Sequence, residues 1–178
     1  MAAGVNSIDR PPFHLHGSNP GRCHPMNQIA ELLPAANIAF DVDVASKSRL
    51  FEAAGALFAN GSGLDSGTVA ASLSARERLG STGLGQGIAI PHGRIKGLAN
   101  AAGAFLRLKQ AIAFDAPDGK PVSQVFVLLV PEQATDQHLQ LLSELAQMFS
   151  ERSFRDKLAT ATSVADLDTL FRSWAPAA

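Results

Sequence analysis

The chain has 178 residues, the length of one ordinary domain with enough material to close a single sizeable core. Hydrophobic residues make up 46% and aromatic ones 6%, with no Tyr, which excludes wholesale disorder and points to a core of Ala, Leu, Val, Ile and Phe. Fifteen basic against sixteen acidic residues leave a formal charge of -1, so no bulk field would hold the chain on nucleic acid or on an anionic membrane.

Residues 1–25 carry four of the ten prolines and no apolar period, and read as a flexible tail or extension. An upstream extension, a cloning remnant and a misplaced start codon are equally compatible with the change of texture at Met26. The tail holds His14, His16, Cys23 and His24, ligand-type residues whose spacing matches no zinc pattern, so no metal site is assigned to them. Cys23 is the single cysteine, which excludes an internal disulfide and fits a reducing cytoplasm. No apolar run has the length of a membrane span, and the N-terminus lacks the apolar core of a secretory signal. A soluble, cytoplasmic protein is expected.

From Met26 to the end, helix-like and strand-like segments alternate, the pattern of a single α/β domain. Ser46 caps an expected helix with Leu50, Phe51, Ala54, Leu57 and Phe58 at helical spacing and a stop near Asn60-Gly61. A second helix runs from Asp65 to Leu79, with Val69 and Leu73 inward. The glycine-rich run GSTGLGQG leads into a short strand, Ile88-Ala89-Ile90, halted by Pro91. Residues 103–108 read as a strand, and the turn Pro117-Asp118-Gly119 precedes the apolar run 125–130, expected to be a central strand buried on both faces. A helix from about Asp136 to Phe149 follows, then two more. The last is capped by Ser163 and Asp166, with Val164, Leu167, Phe171 and Trp174 inward.

The segment from Gly80 to Arg94 carries the chemistry. Its glycines allow close backbone approach and convergent N–H donors, so the loop can cradle an anion. It is neither a P-loop nor a dinucleotide fingerprint, since no Gly-Lys-Ser/Thr follows and the strand comes after the glycines. His92 follows a strand and Pro91, with Gly93 leaving its ring uncrowded. A neutral imidazole there can attack phosphorus through one nitrogen while the other donates to a group that fixes the tautomer, with no metal or cofactor required. Read alone, it is by default an ordinary satisfied histidine near a turn.

Glu77, Leu84, Gly85, Ile88, Ala89, Ile90, Pro91, His92 and Gly93 match without a gap the histidine signature of the type-2 IIA domains of the bacterial phosphoenolpyruvate-dependent phosphotransferase system. That family includes the fructose, mannitol and nitrogen-regulatory IIA domains. The resemblance continues in Ser-Lys-Ser-Arg at 46–49, Ala-Phe-Asp-Ala at 113–116 and Leu-Leu-Val-Pro at 128–131. It implies a mixed, partly parallel β-sheet flanked by helices, and it makes His92 a phosphoryl acceptor.

By the same resemblance His138 lies beside the acceptor, orienting it or binding phosphoryl oxygens. On spacing alone, i, i+4, i+7 and i+11 with Leu142, Leu145 and Phe149, it would merely cap the core. Arg76 takes the place of an arginine that faces the phosphoryl group, although a surface arginine near a helix C-terminus is favourable for dipole reasons alone. Arg78 and Arg94 fit that surface reading better. Ser81 and Thr82, with Gly83, Gly85 and Gly87, form the expected phosphoryl loop, or the two hydroxyls simply hold the turn.

The resemblance further implies an HPr-like phosphocarrier as donor, a shallow apolar ring around His92 as the docking face, and no cofactor. A regulatory, nitrogen-type role is favoured over a sugar-specific role that passes phosphate to a IIB domain. A binding module without phosphorylation and a metal-dependent hydrolase using His92 and His138 are the rivals from other classes.

Overall fold

A computed structural model describes residues 27–133 and 136–176. The expected tail, with His14, His16, Cys23 and His24, lies outside the described residues.

The element order is α1 (Gln28–Leu32), a 3₁₀ turn (Ala35–Asn37), β1 (Ile38–Val42), α2 (Lys47–Ser62), α3 (Ser66–Glu77), β2 (Gly83–Gly85), β3 (Ile88–Ala89), β4 (His92–Ile95), β5 (Ala102–Ile112), β6 (Val122–Pro131), α4 (Asp136–Ser150), α5 (Arg152–Thr160) and α6 (Val164–Ser173). The six strands form one mixed sheet in the order β1-β5-β6-β3-β2, with β4 also on β6. β5 and β6 run antiparallel, while β1 pairs parallel to β5, and β3 and β4 pair parallel to β6. This is the mixed, partly parallel α/β domain expected.

β6 is central for the reason its sequence gives. Phe126, Leu128 and Val130 enter the core shared with α1, α4, α5 and α6, whereas Val125, Val127 and Leu129 enter the core under α2 and α3. Each of these six side chains is fully buried. An alternating strand with both faces covered has no polar side to offer water. In the first core Phe105, Phe126, Phe149, Phe154 and Phe171 meet edge to face or tilted, with ring centroids 4.9–6.4 Å apart. Burial of each ring contributes about 1.5–3 kcal/mol.

The helix ends follow the expected chemistry. Ser46, Asp65 and Ser163 each accept a hydrogen bond from the backbone N–H three residues on. α2 stops at Gly63 with φ +69°, a left-handed cap that glycine adopts without strain. At α6 the return half of the capping box lands one residue early, because the Asp166 carboxylate accepts from Thr162 N–H and hydroxyl rather than from Ser163 N–H.

Three strands differ from expectation: β2 forms inside the glycine-rich run by pairing antiparallel with β3, and β1 and β4 are unexpected as well. β1 has no clear period of its own and is held as an edge by β5. Pro91 interrupts a strand and does not end it. Its carbonyl accepts from Leu128 N–H at 3.0 Å, and pairing with β6 resumes at His92↔Leu128 through Ile95↔Pro131. A proline loses only its own donor, so a neighbour's N–H can still bridge it. His92 is therefore the first residue of β4 and not the tip of a loop.

Gly93 has a packing role the sequence did not suggest. A Cβ there would overlap Ser72 Oγ on α3, so the glycine sets how closely α3 approaches β4, beyond leaving the His92 ring uncrowded. Gly93→Ala is expected to cost about 1–3 kcal/mol in urea denaturation, as overpacking does. Pairing it with Ser72→Ala should return part of that loss, and a double variant no better than the sum of the singles would contradict this packing.

Candidate active site

Arg76 reaches the site because of its place on α3. Val69, Leu73 and Arg76 are spaced i, i+4, i+7, and the first two are buried against the sheet. Arg76 continues that stripe one turn further, where β4 carries His92. Its Nε donates to His92 Nε2 at 3.2 Å and its Nη1 to the Gly80 carbonyl at 3.0 Å, which ties the guanidinium to the turn after α3.

The His92 tautomer follows from its partners. Nδ1 lies 2.9 Å from the Ile90 carbonyl oxygen, which can only accept, so Nδ1 carries the proton. Nε2 then holds the free lone pair, the pairing that an N–H from Arg76 requires. Burial is the main influence holding His92 below its ordinary pKa of 6.5. The bond to Ile90 and the charge of Glu77 push the other way, and the charge of Arg76 adds to the lowering.

His138, in the first turn of α4, brings its ring centroid to 5.3 Å from that of His92, the planes at 63°. Its Nε2 is buried and has no hydrogen-bond partner among the described residues. Burial also holds His138 below its ordinary value, with the charges of His92, Arg94 and Arg76 acting in the same direction. The tautomer of His92 is thus fixed by Ile90 and not by His138.

Arg94 is exposed, as the surface reading has it, but it also lines the cavity at His92. It stands two residues after His92 on β4, and its Nη1 donates to the Glu132 carbonyl at 3.0 Å. Period-two spacing from His92 would have found it, had a strand been drawn through Pro91. The cavity, of about 440 Å³, is lined by Ser72, Ala75, Arg76, Leu79, His92, Gly93, Arg94 and His138. Two arginines and two imidazoles around an open depression are a lining whose chemistry suits a dianion. A depression of about 470 Å³ between α1 and α4 carries only Glu144 as an ionisable side chain and suits no anion.

The expected phosphoryl loop does not line this cavity. Ser81 Oγ donates to the Phe114 carbonyl at 2.7 Å and accepts from Gly83 N–H, and the Thr82 hydroxyl donates to Glu77 at 2.6 Å. Gly83 packs on Ala116. Gly85 and Gly87, with φ of +88° and +78°, flank Gln86, whose N–H is taken by Asp118 at 2.8 Å. The donors expected to cradle an anion are spent on the fold, and the two hydroxyls hold the turn. Arg78, the other arginine read as a surface residue, does not line the cavity either. Among the described residues no three His, Cys, Asp or Glu side chains gather as a metal site, and no helix is long and apolar enough to cross a membrane.

Because both histidines are held neutral by the fold, the unfolded chain binds more protons between their folded and ordinary pKa values. Their contribution is complete above pH 6.5 and is lost as pH falls through the folded values. Urea denaturation should show a decline below pH 6.5 that is shallower in a variant carrying His92→Gln and His138→Gln; an unchanged slope would contradict this assignment.

The family model for the phosphoenolpyruvate-dependent sugar phosphotransferase system, EIIA 2, matches residues 31–174. The nitrogen regulatory protein of Pseudomonas aeruginosa is 42% identical over 137 residues, covering 76% of this chain and 89% of the relative. That of Escherichia coli K12 is 40% identical over 123 residues, covering 68% and 76%. Among solved structures, the nitrogen regulatory protein IIA-Ntr from Neisseria meningitidis has a TM-score of 0.76 at 52% identity, covering 81% of this chain and 99% of its own. IIA mannitol from Escherichia coli shares the fold, with a TM-score of 0.66 at 24% identity over 78% and 97%. Matched along most of its length, and at such identity to several relatives, the chain belongs to the EIIA type 2 family of the phosphoenolpyruvate-dependent sugar phosphotransferase system.

Proposed function

We propose that the chain is a phosphocarrier of the nitrogen-regulatory type, which accepts a phosphoryl group on Nε2 of His92 from the phosphohistidine of a small HPr-like protein. The observation that carries this reading is the pinned imidazole: Nδ1 is committed to Ile90, and the lone pair of Nε2 faces a guanidinium in an open cavity.

Transfer breaks the P–N bond of the donor as the P–Nε2 bond forms. His92 needs no base, since the attacking nitrogen carries no proton and Nδ1 keeps its own. The positive charge that develops on the ring is countered by the Ile90 carbonyl and by nearby Glu77. Arg76 leaves Nε2 for the phosphoryl oxygens, where its planar fork can engage two of them, and Arg94 adds a second cation. The buried, unpartnered Nε2 of His138 suits hydrogen bonding to a phosphoryl oxygen once its ring presents that proton. The first turn of α4 contributes a favourable dipole. Catalysis here is positioning and charge stabilisation, as is general for phosphoryl transfer.

The product adds a charge of about -2 at the cavity mouth, enough to change what docks there. Leu79, 84% exposed, lines the cavity beside Arg76 as the apolar part of that face. Donor and downstream protein would share it, since both must reach the same nitrogen. The chain is then a phosphotransferase only in the limited sense of a protein-to-protein carrier, working in the cytoplasm. A sugar-specific role, with a IIB domain as recipient, is the second reading. It is favoured by 40% identity over 88 residues to the fructose-specific EIIA component of Haloferax volcanii, a stretch that is 49% of this chain.

Incubation with phosphorylated carrier, followed by mass spectrometry under alkaline conditions that preserve phosphohistidine, tests the proposal. Addition of one phosphoryl group at His92 is expected, and an unmodified chain would sink it. Acceptance from the regulatory carrier is the expected result. Exclusive use of the sugar-system HPr would move the role to sugar uptake.

A further inference from the structure

Lys47 and Glu77 do not line the cavity, yet hydrogen bonds and the backbone of the turn at 77–82 join them to it. Lys47, the first residue of α2, places Nζ 3.0 Å from Glu77 Oε1 and 2.9 Å from Asp115 Oδ2, 4.7 Å over the ring of Phe114. Glu77 ends α3 with a side chain only 8% exposed. Its carboxylate also takes the Thr82 N–H at 3.1 Å and the Thr82 hydroxyl at 2.6 Å. Ser81 fastens the same turn to Phe114. Between these anchors lies Gly80, whose carbonyl receives Arg76 Nη1 while Arg76 Nε sits on His92 Nε2.

We propose that Lys47 and Glu77 are positioning residues for phosphoryl acceptance, locking the turn that holds the Arg76 guanidinium against His92. This rests on the reading of His92 as the acceptor. An exposed ion pair would contribute little. This one is different because the carboxylate is nearly buried and also holds backbone, so removing Lys47 leaves a charge without its counter-ion inside the turn. The turn opens, Gly80 shifts and Arg76 loses its second anchor.

The test uses the full chain with Lys47→Met, Lys47→Arg and Glu77→Ala. Nitrogen NMR of the unphosphorylated protein reads the Arg76 Nε–H and His92 Nε2 signals, which a merely structural role would leave in place in a folded variant. Single-turnover transfer from a phosphorylated HPr-like carrier reads the function. Lys47→Met is expected to move both signals and to slow acceptance roughly tenfold or more, since small misplacements carry such factors, while Lys47→Arg stays within about twofold. Should Lys47→Met not fold, Glu77→Ala, which removes the acceptor of the Thr82 N–H and hydroxyl together with the partner of Lys47, is expected to show the same shifts. Signals that match the unsubstituted chain overturn the proposal, as do shifted signals with acceptance unchanged. If the unsubstituted chain itself takes no phosphoryl group, the reading of His92 fails, and the nitrogen signals still decide whether Lys47 positions Arg76.

Discussion

His92→Ala is expected to give a folded chain that takes up no phosphoryl group. The loss is complete because no neighbour can replace the nucleophile. Arg76 and Arg94 are cations without a lone pair, and the buried Nε2 of His138 serves a phosphoryl oxygen and not phosphorus in this reading. Stability should change little by comparison. The substitution removes one hydrogen bond to the Ile90 carbonyl, worth about 1 kcal/mol net, and also relieves the burial of a titratable ring. Mass spectrometry after incubation with phosphorylated carrier and urea denaturation measure the two effects. Phosphate found on folded His92→Ala would overturn the assignment of the acceptor.

Arg76→Ala should leave acceptance measurable but about 100-fold slower, the scale of losing one preorganised donor at developing charge. Arg76→Lys should recover only part of this, because an ammonium cannot present two parallel N–H groups to a phosphoryl group. A second signature separates Arg76 from a residue that merely supports the fold. Its charge is one cause of the lowered pKa of His92, so its removal should move that pKa upward in an NMR titration. Unchanged titration together with unchanged transfer would mean that the contact between Arg76 Nε and His92 Nε2 has no part in the chemistry.

Both expectations depend on a geometry that was only half visible beforehand. The strand over β6, the helices α2, α3 and α6 and their caps are local in origin: alternating or helical apolar spacing bounded by Ser, Asp or Gly fixes them before any long-range contact forms. β1 and β4 are not local. The first is a strand because β5 offers an edge, and the second because Leu128 N–H bridges Pro91. A linear reading of Pro91 as a stop therefore hid the spacing that places Arg94 beside His92. The glycine-rich loop misled in the opposite sense. Its composition promised free N–H donors, but Asp118 and Glu77, 32 residues after Gln86 and five before Thr82, had already claimed them.

By itself the sequence determined the fold class and the family and pointed to His92, since these rest on periodicity and on a gapless motif of neighbouring residues. The tertiary structure decided which nitrogen of His92 is free, which arginines line its cavity and which loop donors do not. Those are properties of groups brought together from α3, β4 and α4, and a hydrogen bond depends on distance in space, for which separation along the chain gives no measure.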